Sequence, residues 1–273
     1  MTENARNHCC LYCRFFYKLS AVVAFLISAP IAGVADNLPS PGRPAKEWVR
    51  SAIEYWREDT SHVQASMIVH RPTWERRMSL VSWTKGMDLS LIRFTEPKKD
   101  AGSASLKRGD QLWTFSPKVN RVIKIPSSMM GQSWMGSDFS YNDLARDDDI
   151  IELYDHRFLP SEKRDGKVVY VIESVPHEGA PVVWGREVLK VRDDLVLMEH
   201  LFFDQEDILV KRLQTIEVGM LGGKIFPVRM RMENVEEKEQ WTEFLHKKAE
   251  FNLSLPPDLF SVSYLKNPRF GLD

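Results

Sequence analysis

From Ala45 to Asp59 the apolar residues Trp48, Val49, Ala52, Ile53 and Trp56 recur every three or four positions, while Glu47, Arg50, Glu54 and Arg57 fill the other side. That period predicts one amphipathic helix whose apolar face must dock on something. Near residue 62 the period falls to two. Val63, Ala65, Met67 and Val69 alternate through His62–Arg71, and the same beat runs through 76–84, 87–95, 111–116 and 121–125. It resumes through 167–175, 185–192, 195–203, 208–218 and 225–234. Residues 239–252 fit a strand, although Trp241, Leu245 and Lys248 would equally suit a short helix. Lys85-Gly86, Gly109-Asp110, Asp165-Gly166 and Gly222-Gly223 punctuate these runs with turn chemistry.

Consecutive strands with no long helix between them predict an antiparallel meander rather than a parallel α/β sheet. Val168–Val171 and Leu195–Met198 are apolar on both faces, so parts of the sheet need cover on both sides. Ten or so strands in one sheet will curl. The expected fold is therefore mainly β: a strongly curved antiparallel sheet forming an open, incomplete barrel, with the first helix on its concave side.

Ser127–Arg146 breaks the alternation. It gathers Met129, Met130, Trp134, Met135, Phe139 and Tyr141 among serines and glycines. A long irregular loop of this kind is uncommon unless it works, and Met and aromatic side chains suit a lid over an apolar cavity. The same side chains could equally plug one end of the barrel as core. If they form a lid, Trp48, Ile53 and Trp56 of the helix would line the space beneath it. Trp83, Leu91 and Trp113 are strand candidates for that lining, since inward parity is not readable from sequence.

Composition sets the class. Apolar residues make up 43%, charged residues 27%, and the formal net charge is −1, which offers no basic face for nucleic acid. The first 35 residues look like a leader: Arg6, Arg14 and Lys18, then an apolar run to Val34, then a small-residue exit at Ala35. The expected organisation is a cleaved signal peptide over 1–35, a Pro-rich linker over 36–44 and one β-domain over 45–273. All three cysteines, Cys9, Cys10 and Cys13, would leave with the leader. The exported chain would then have no disulfide, thiolate metal site or cysteine nucleophile.

No catalytic constellation emerges. Gly131–Gly136 is one residue too long for a nucleophile elbow and lies outside a strand-to-helix turn. Gly219–Lys224 fails as a phosphate loop, because Ile225 stands where Ser or Thr would hold magnesium, and it reads as a hairpin turn. No two histidines have ligand spacing. Asp147-Asp148-Asp149 and Asp193-Asp194 are expected to be solvated loop charge, and Lys98-Lys99 and Lys107-Arg108 to be turn flanks. No enzyme, no metal and no cofactor is expected.

The stretch Leu91–Leu144, above all Met135–Leu144 (MGSDFSYNDL), resembles the LolA-like outer-membrane lipoprotein-sorting family, and the ending Leu255–Ser261 (LPPDLFS) is similar to its closing element. The likeness runs over essentially the whole exported chain. It implies an incomplete antiparallel barrel, periplasmic residence, and a cavity that shuttles lipoprotein or lipid acyl chains between an inner-membrane transporter complex and an outer-membrane acceptor, by a monomer. The long Met/Trp loop departs from the main carriers. Some relatives of this architecture instead bind partner proteins or serve transporters and signalling, which is the competing expectation: a protein-binding or sensor module without lipid cargo.

Overall fold

The computed structural model describes residues 41–237 and 239–266; the expected leader, its cysteines and most of the linker lie outside them. One helix, α1 (Ala45–Arg57), precedes thirteen strands. The first six are β1 (Thr60–Arg71), β2 (Trp74–Lys85), β3 (Leu89–Glu96), β4 (Ala104–Arg108), β5 (Gln111–Ser116) and β6 (Arg121–Lys124). The other seven are β7 (Tyr154–Arg164), β8 (Lys167–Pro176), β9 (Arg186–Arg192), β10 (Leu197–Phe203), β11 (Leu209–Leu221), β12 (Lys224–Asn234) and β13 (Trp241–Phe251). Of residues 239–252, Trp241–Phe251 fold as strand, and Thr242, whose hydroxyl faces inward, is fully buried there. No helix among the described residues is long and apolar enough to cross a membrane.

All thirteen strands form one antiparallel sheet in the order β6-β5-β4-β3-β2-β1-β13-β12-β11-β10-β9-β8-β7. The chain therefore builds two meanders joined at the centre, where β1 pairs with β13. One runs outward from β1 to the edge β6, and the other runs from the opposite edge β7 back to β13. Consecutive strands β6 and β7 thus sit at opposite edges, and residues 125–153 must cross from one edge to the other. That crossing contains the helical turns α2 (Tyr141–Ala145) and α3 (Asp149–Glu152), and Ser140 caps α2 through a reciprocal capping box with Asp143.

Two strands escape the hydrophobic period. β4 is five residues long and carries Lys107 at a buried position, and β7 is an edge strand with a polar sequence and Pro160. The Gly222-Gly223 turn joins β11 to β12 as the sequence indicates. Gly222 has φ +59°, and a Cβ there would lie 2.5 Å from the Phe251 ring, so only glycine fits.

Both faces of the sheet are covered. On one, α1 lays Trp48, Val49 and Ala52 against Tyr170, Ile172, Leu189 and Val191, with Trp48 and Tyr170 ring centres 4.5 Å apart. On the reverse of β2–β5, the C-terminal segment packs Leu255, Leu259, Phe260 and Leu265, the last in α4 (Val262–Leu265), against Val81, Trp83, Leu91, Leu106 and Phe115. Buried Arg93 fastens that segment by donating to the carbonyl of Tyr264 at 3.0 Å.

Candidate functional site

Curvature makes the site. One cavity is lined by Ser90, Ile92, Ser105 and Lys107 of β3–β4 and also by Leu213, Met230 and Phe244 of β11–β13. Strands β4 and β11 are six places apart in the sheet, roughly 29 Å if it were flat. They can share a cavity only because the sheet bends around it. This compartment has a volume of about 260 Å³ and is mostly apolar. A second, of about 290 Å³, shares Trp56, Arg57, Ser90, Ile92, Asp147 and His246 with it; a third, of about 120 Å³, shares Phe139, Asp143, Asp147 and Leu213. Each of the first two singly approaches the lower end of the roughly 300–1,000 Å³ of small-molecule pockets.

The crossing segment roofs this space. Trp134 is 1% exposed, meets the Phe94 ring at a tilt with centres 5.4 Å apart among Met67, Met78 and Leu80, and donates from Nε1 to Ser105 Oγ at 3.0 Å. Phe139 meets Phe244 edge-on at 5.3 Å. Both line the first compartment, as does Trp56; Ile53 lines the second. Met135 and Tyr141 face a separate recess beside Trp134, and Met129 and Met130 pack on Leu112, Ile125 and Ala145 near the β6 edge. Trp48 lies away from these compartments, with its Nε1 donating to the Pro41 carbonyl.

Three lining candidates point the other way. Register pairs Trp83 with Leu91, Leu91 with Leu106, and Leu106 with Trp113, which puts them in one row. That row faces the C-terminal segment, not the cavity. The inward row is Thr84, Ser90, Lys107 and Leu112. Hydrophobicity misleads here because the reverse face is also buried, so the larger apolar residues sit there and small polar ones face in.

The charges also depart from expectation. Lys107 is no turn flank: it is 2% exposed and donates to Asp147 Oδ1 at 2.7 Å and Asp148 Oδ1 at 2.6 Å. Arg57, from the end of α1, also binds Asp147. The aspartates are about 30% exposed rather than solvated loop charge. Every carboxylate of the crossing segment has a cationic partner. Asp138 takes Arg71 at 3.0 Å and a bond from the Thr242 hydroxyl, Asp143 takes Lys211 at 2.8 Å, Asp149 takes Arg146, and Glu152 takes Lys46 and Arg50. Five of these six acids meet cations from other elements, so an acidic roof is clamped to basic walls.

Burial opposes ionisation of Asp147, but the charges of Arg57 and Lys107 and their hydrogen bonds outweigh it and hold the carboxyl below its ordinary value. Because the folded value is the lower one, the stability this ionisation contributes is present above the unfolded value, about 3.9, and is lost as pH falls through the folded value. Urea unfolding should therefore show the wild type more stable than Asp147→Asn at neutral pH. The gap should close only below about pH 4; a gap unchanged in stronger acid would mean the ionised carboxylate is not the fastener.

In the third compartment, Glu187 Oε2 lies 2.5 Å from His200 Nε2, and burial, then the charge and hydrogen bond of Glu187, push the Tyr154 hydroxyl far up. That hydroxyl stays protonated and hydrogen-bonds to Glu187 in the wall of the compartment. Burial pushes His246, whose Nδ1 lies 2.8 Å from the Pro227 carbonyl, down, leaving it neutral at neutral pH. Among the described residues no group of three His, Cys, Asp or Glu could hold a metal ion.

A family model described as "Uncharacterized protein" matches residues 86–267. A DUF1329 family protein from Desulfovibrio piger has a similar solved structure (TM-score 0.72, 27% identity, covering 81% of this chain and 99% of that one). So does an outer membrane lipoprotein-sorting protein domain, described as putative, from Vibrio parahaemolyticus (TM-score 0.72, 22% identity, 82% and 98%). A LolA superfamily protein from Nitrosomonas europaea matches at TM-score 0.67 and 22% identity, covering 81% and 99%. A search of curated proteins returns no match. With its model matching about two thirds of its length, the chain belongs to that uncharacterized family, and its open antiparallel sheet is the fold it shares with the LolA superfamily structure.

Proposed function

We propose that the protein is a periplasmic carrier that holds the acyl chains of a lipidated or otherwise hydrophobic cargo inside the curved sheet and passes them between membranes. The observation that carries this reading is the apolar space enclosed by β3–β5, β11–β13 and α1 beneath an ion-paired roof. A carrier must shield hydrocarbon from water, and each buried CH₂ contributes roughly 0.8 kcal/mol. Three features support export and exchange: the leader-like first 35 residues, the fold shared with a lipoprotein-sorting domain, and a roof that polar links fasten from several sides. An inner-membrane transporter would load the carrier and an outer-membrane acceptor would unload it. The enclosed groups serve binding, and no reaction is assigned to them.

The test is binding of a fluorescent apolar probe to the wild type and to Leu213→Trp. Leu213 is half-buried and lines the first and third compartments, so an indole there fills space without removing a contact. Probe affinity should fall about tenfold or more, for the loss of one or two buried side chains' worth of contact, at an unchanged melting temperature. Equal binding by both proteins, or none by the wild type, would overturn the reading.

A further inference from the structure

The walls beneath the roof carry cations that a purely hydrocarbon cargo would not need. Lys107 stands on the inward row of β4 between Ser90 and Leu112, almost fully buried, and both of its hydrogen-bond partners belong to the crossing segment. Arg57 lines the first and second compartments. Its Nη2 binds Asp147, while its Nη1 is buried with no hydrogen-bond partner. Buried ion pairs are weak contributors to stability compared with apolar residues of the same volume. Folding alone therefore gives little reason to set an ammonium and a guanidinium on the wall of an apolar cavity.

The counter-charges of Lys107 and Arg57, Asp147 and Asp148, both belong to the roof, so a cargo that lifts the roof also removes them. Once Asp147 and Asp148 lift away, Lys107 and Arg57 are left in apolar surroundings with no counter-charge, which is costly for ions out of water. A neutral chain cannot relieve that. An anion can, by taking the same donors that the aspartates release.

Resting on the carrier reading above, we propose that the cargo is an anionic amphiphile: a long acyl chain in the apolar compartments, with a carboxylate or phosphate head bound by Lys107 and Arg57. In the empty protein Asp147 and Asp148 occupy that head-group site and act as a built-in competitor.

The experiment measures displacement of the apolar probe at neutral pH by oleate, by oleyl alcohol, which has the same chain and no charge, and by acetate and inorganic phosphate, which have charge and no chain. Oleoyl lysophosphatidic acid distinguishes a phosphate head from a carboxylate. Oleate or the lysophosphatidic acid should bind about tenfold or more tighter than oleyl alcohol, the value of a hydrogen bond to a charged group. Asp147→Asn with Asp148→Asn should tighten binding of the anionic amphiphile, because its head no longer competes with the aspartates for Lys107 and Arg57. Adding Lys107→Gln to that pair should erase the preference without stranding a buried carboxylate.

Equal affinity of oleate, the lysophosphatidic acid and oleyl alcohol would overturn the head-group assignment and leave the apolar cavity standing. Displacement by acetate or phosphate as effective as by oleate would overturn it too, by showing a site for free anions. Failure of all the long-chain ligands would overturn the carrier reading itself. A preference that survives the Lys107→Gln triple variant would place the anion elsewhere.

Discussion

Trp134→Ala should destabilise the protein by about 3–5 kcal/mol, the usual cost of deleting a fully buried indole. For a chain of this size each kcal/mol lowers the melting temperature by roughly 2–4 °C, so the midpoint should drop by on the order of 10 °C. The ring lies among Met67, Met78, Leu80 and Phe94, strand residues of the bend itself. Its Nε1 also satisfies Ser105 Oγ. Trp134→Phe should cost less, because it keeps most of the apolar contact and gives up mainly a hydrogen bond worth about 1 kcal/mol. A cost for Trp134→Ala below about 1 kcal/mol would mean that the segment merely rests on the sheet. Of the two roles the sequence allows for this loop, the buried Trp134 sits in the core, while Phe139 is half-buried and lines the first compartment.

Lys107→Ala is the second large effect. It leaves Asp148 without its partner and Asp147 with Arg57 alone. Breaking a buried pair costs about 3–5 kcal/mol, and the aspartates' partial exposure reduces this, so we expect about 2–4 kcal/mol by urea unfolding. Neutralising both aspartates in the same protein should recover most of the loss, because no carboxylate is then stranded. Lys46→Ala is the internal reference. Its partner Glu152 and Lys46 itself are largely exposed, and such surface pairs contribute at most about 1 kcal/mol. Equal effects of Lys107→Ala and Lys46→Ala would show that the cluster does not fasten the roof.

Much of the fold is legible because one period governs it. Eleven of the thirteen strands follow from alternation, and α1 from a three-to-four step. The two that escape do so for physical reasons. β4 is too short and too mixed in polarity to register, and β7 is a sheet edge that tolerates Pro160 and needs few apolar residues. The joining of two meanders at β1 and β13 is a contact between distant segments, and no local pattern carries it.

The site was legible in part for the same reason. Clustering of Met and aromatic residues singled out the crossing segment, and helical spacing gave Ile53 and Trp56. Inward parity was not available, because the C-terminal segment buries the reverse face of β2–β5. That is why Trp83, Leu91 and Trp113 look like lining and are not. The ionic fastening was hidden because Lys107 and Asp147-Asp148 look like ordinary surface charge until β4 is recognised as a strand. With β4 in hand, Lys107 is a cation on the inward row, opposite Ser90 and Leu112.

Acyl chains held in the bowl of the sheet should survive gentle purification. Native mass spectrometry of the protein purified from periplasm without detergent, followed by lipid extraction of the same sample, tests whether they do. The expected result is a bound species of lipid or lipoprotein mass at near-stoichiometric level, carrying an anionic head and lost in Leu213→Trp. A wild-type protein found only at its own mass, and remaining so after incubation with oleate or with lipid vesicles, would contradict it.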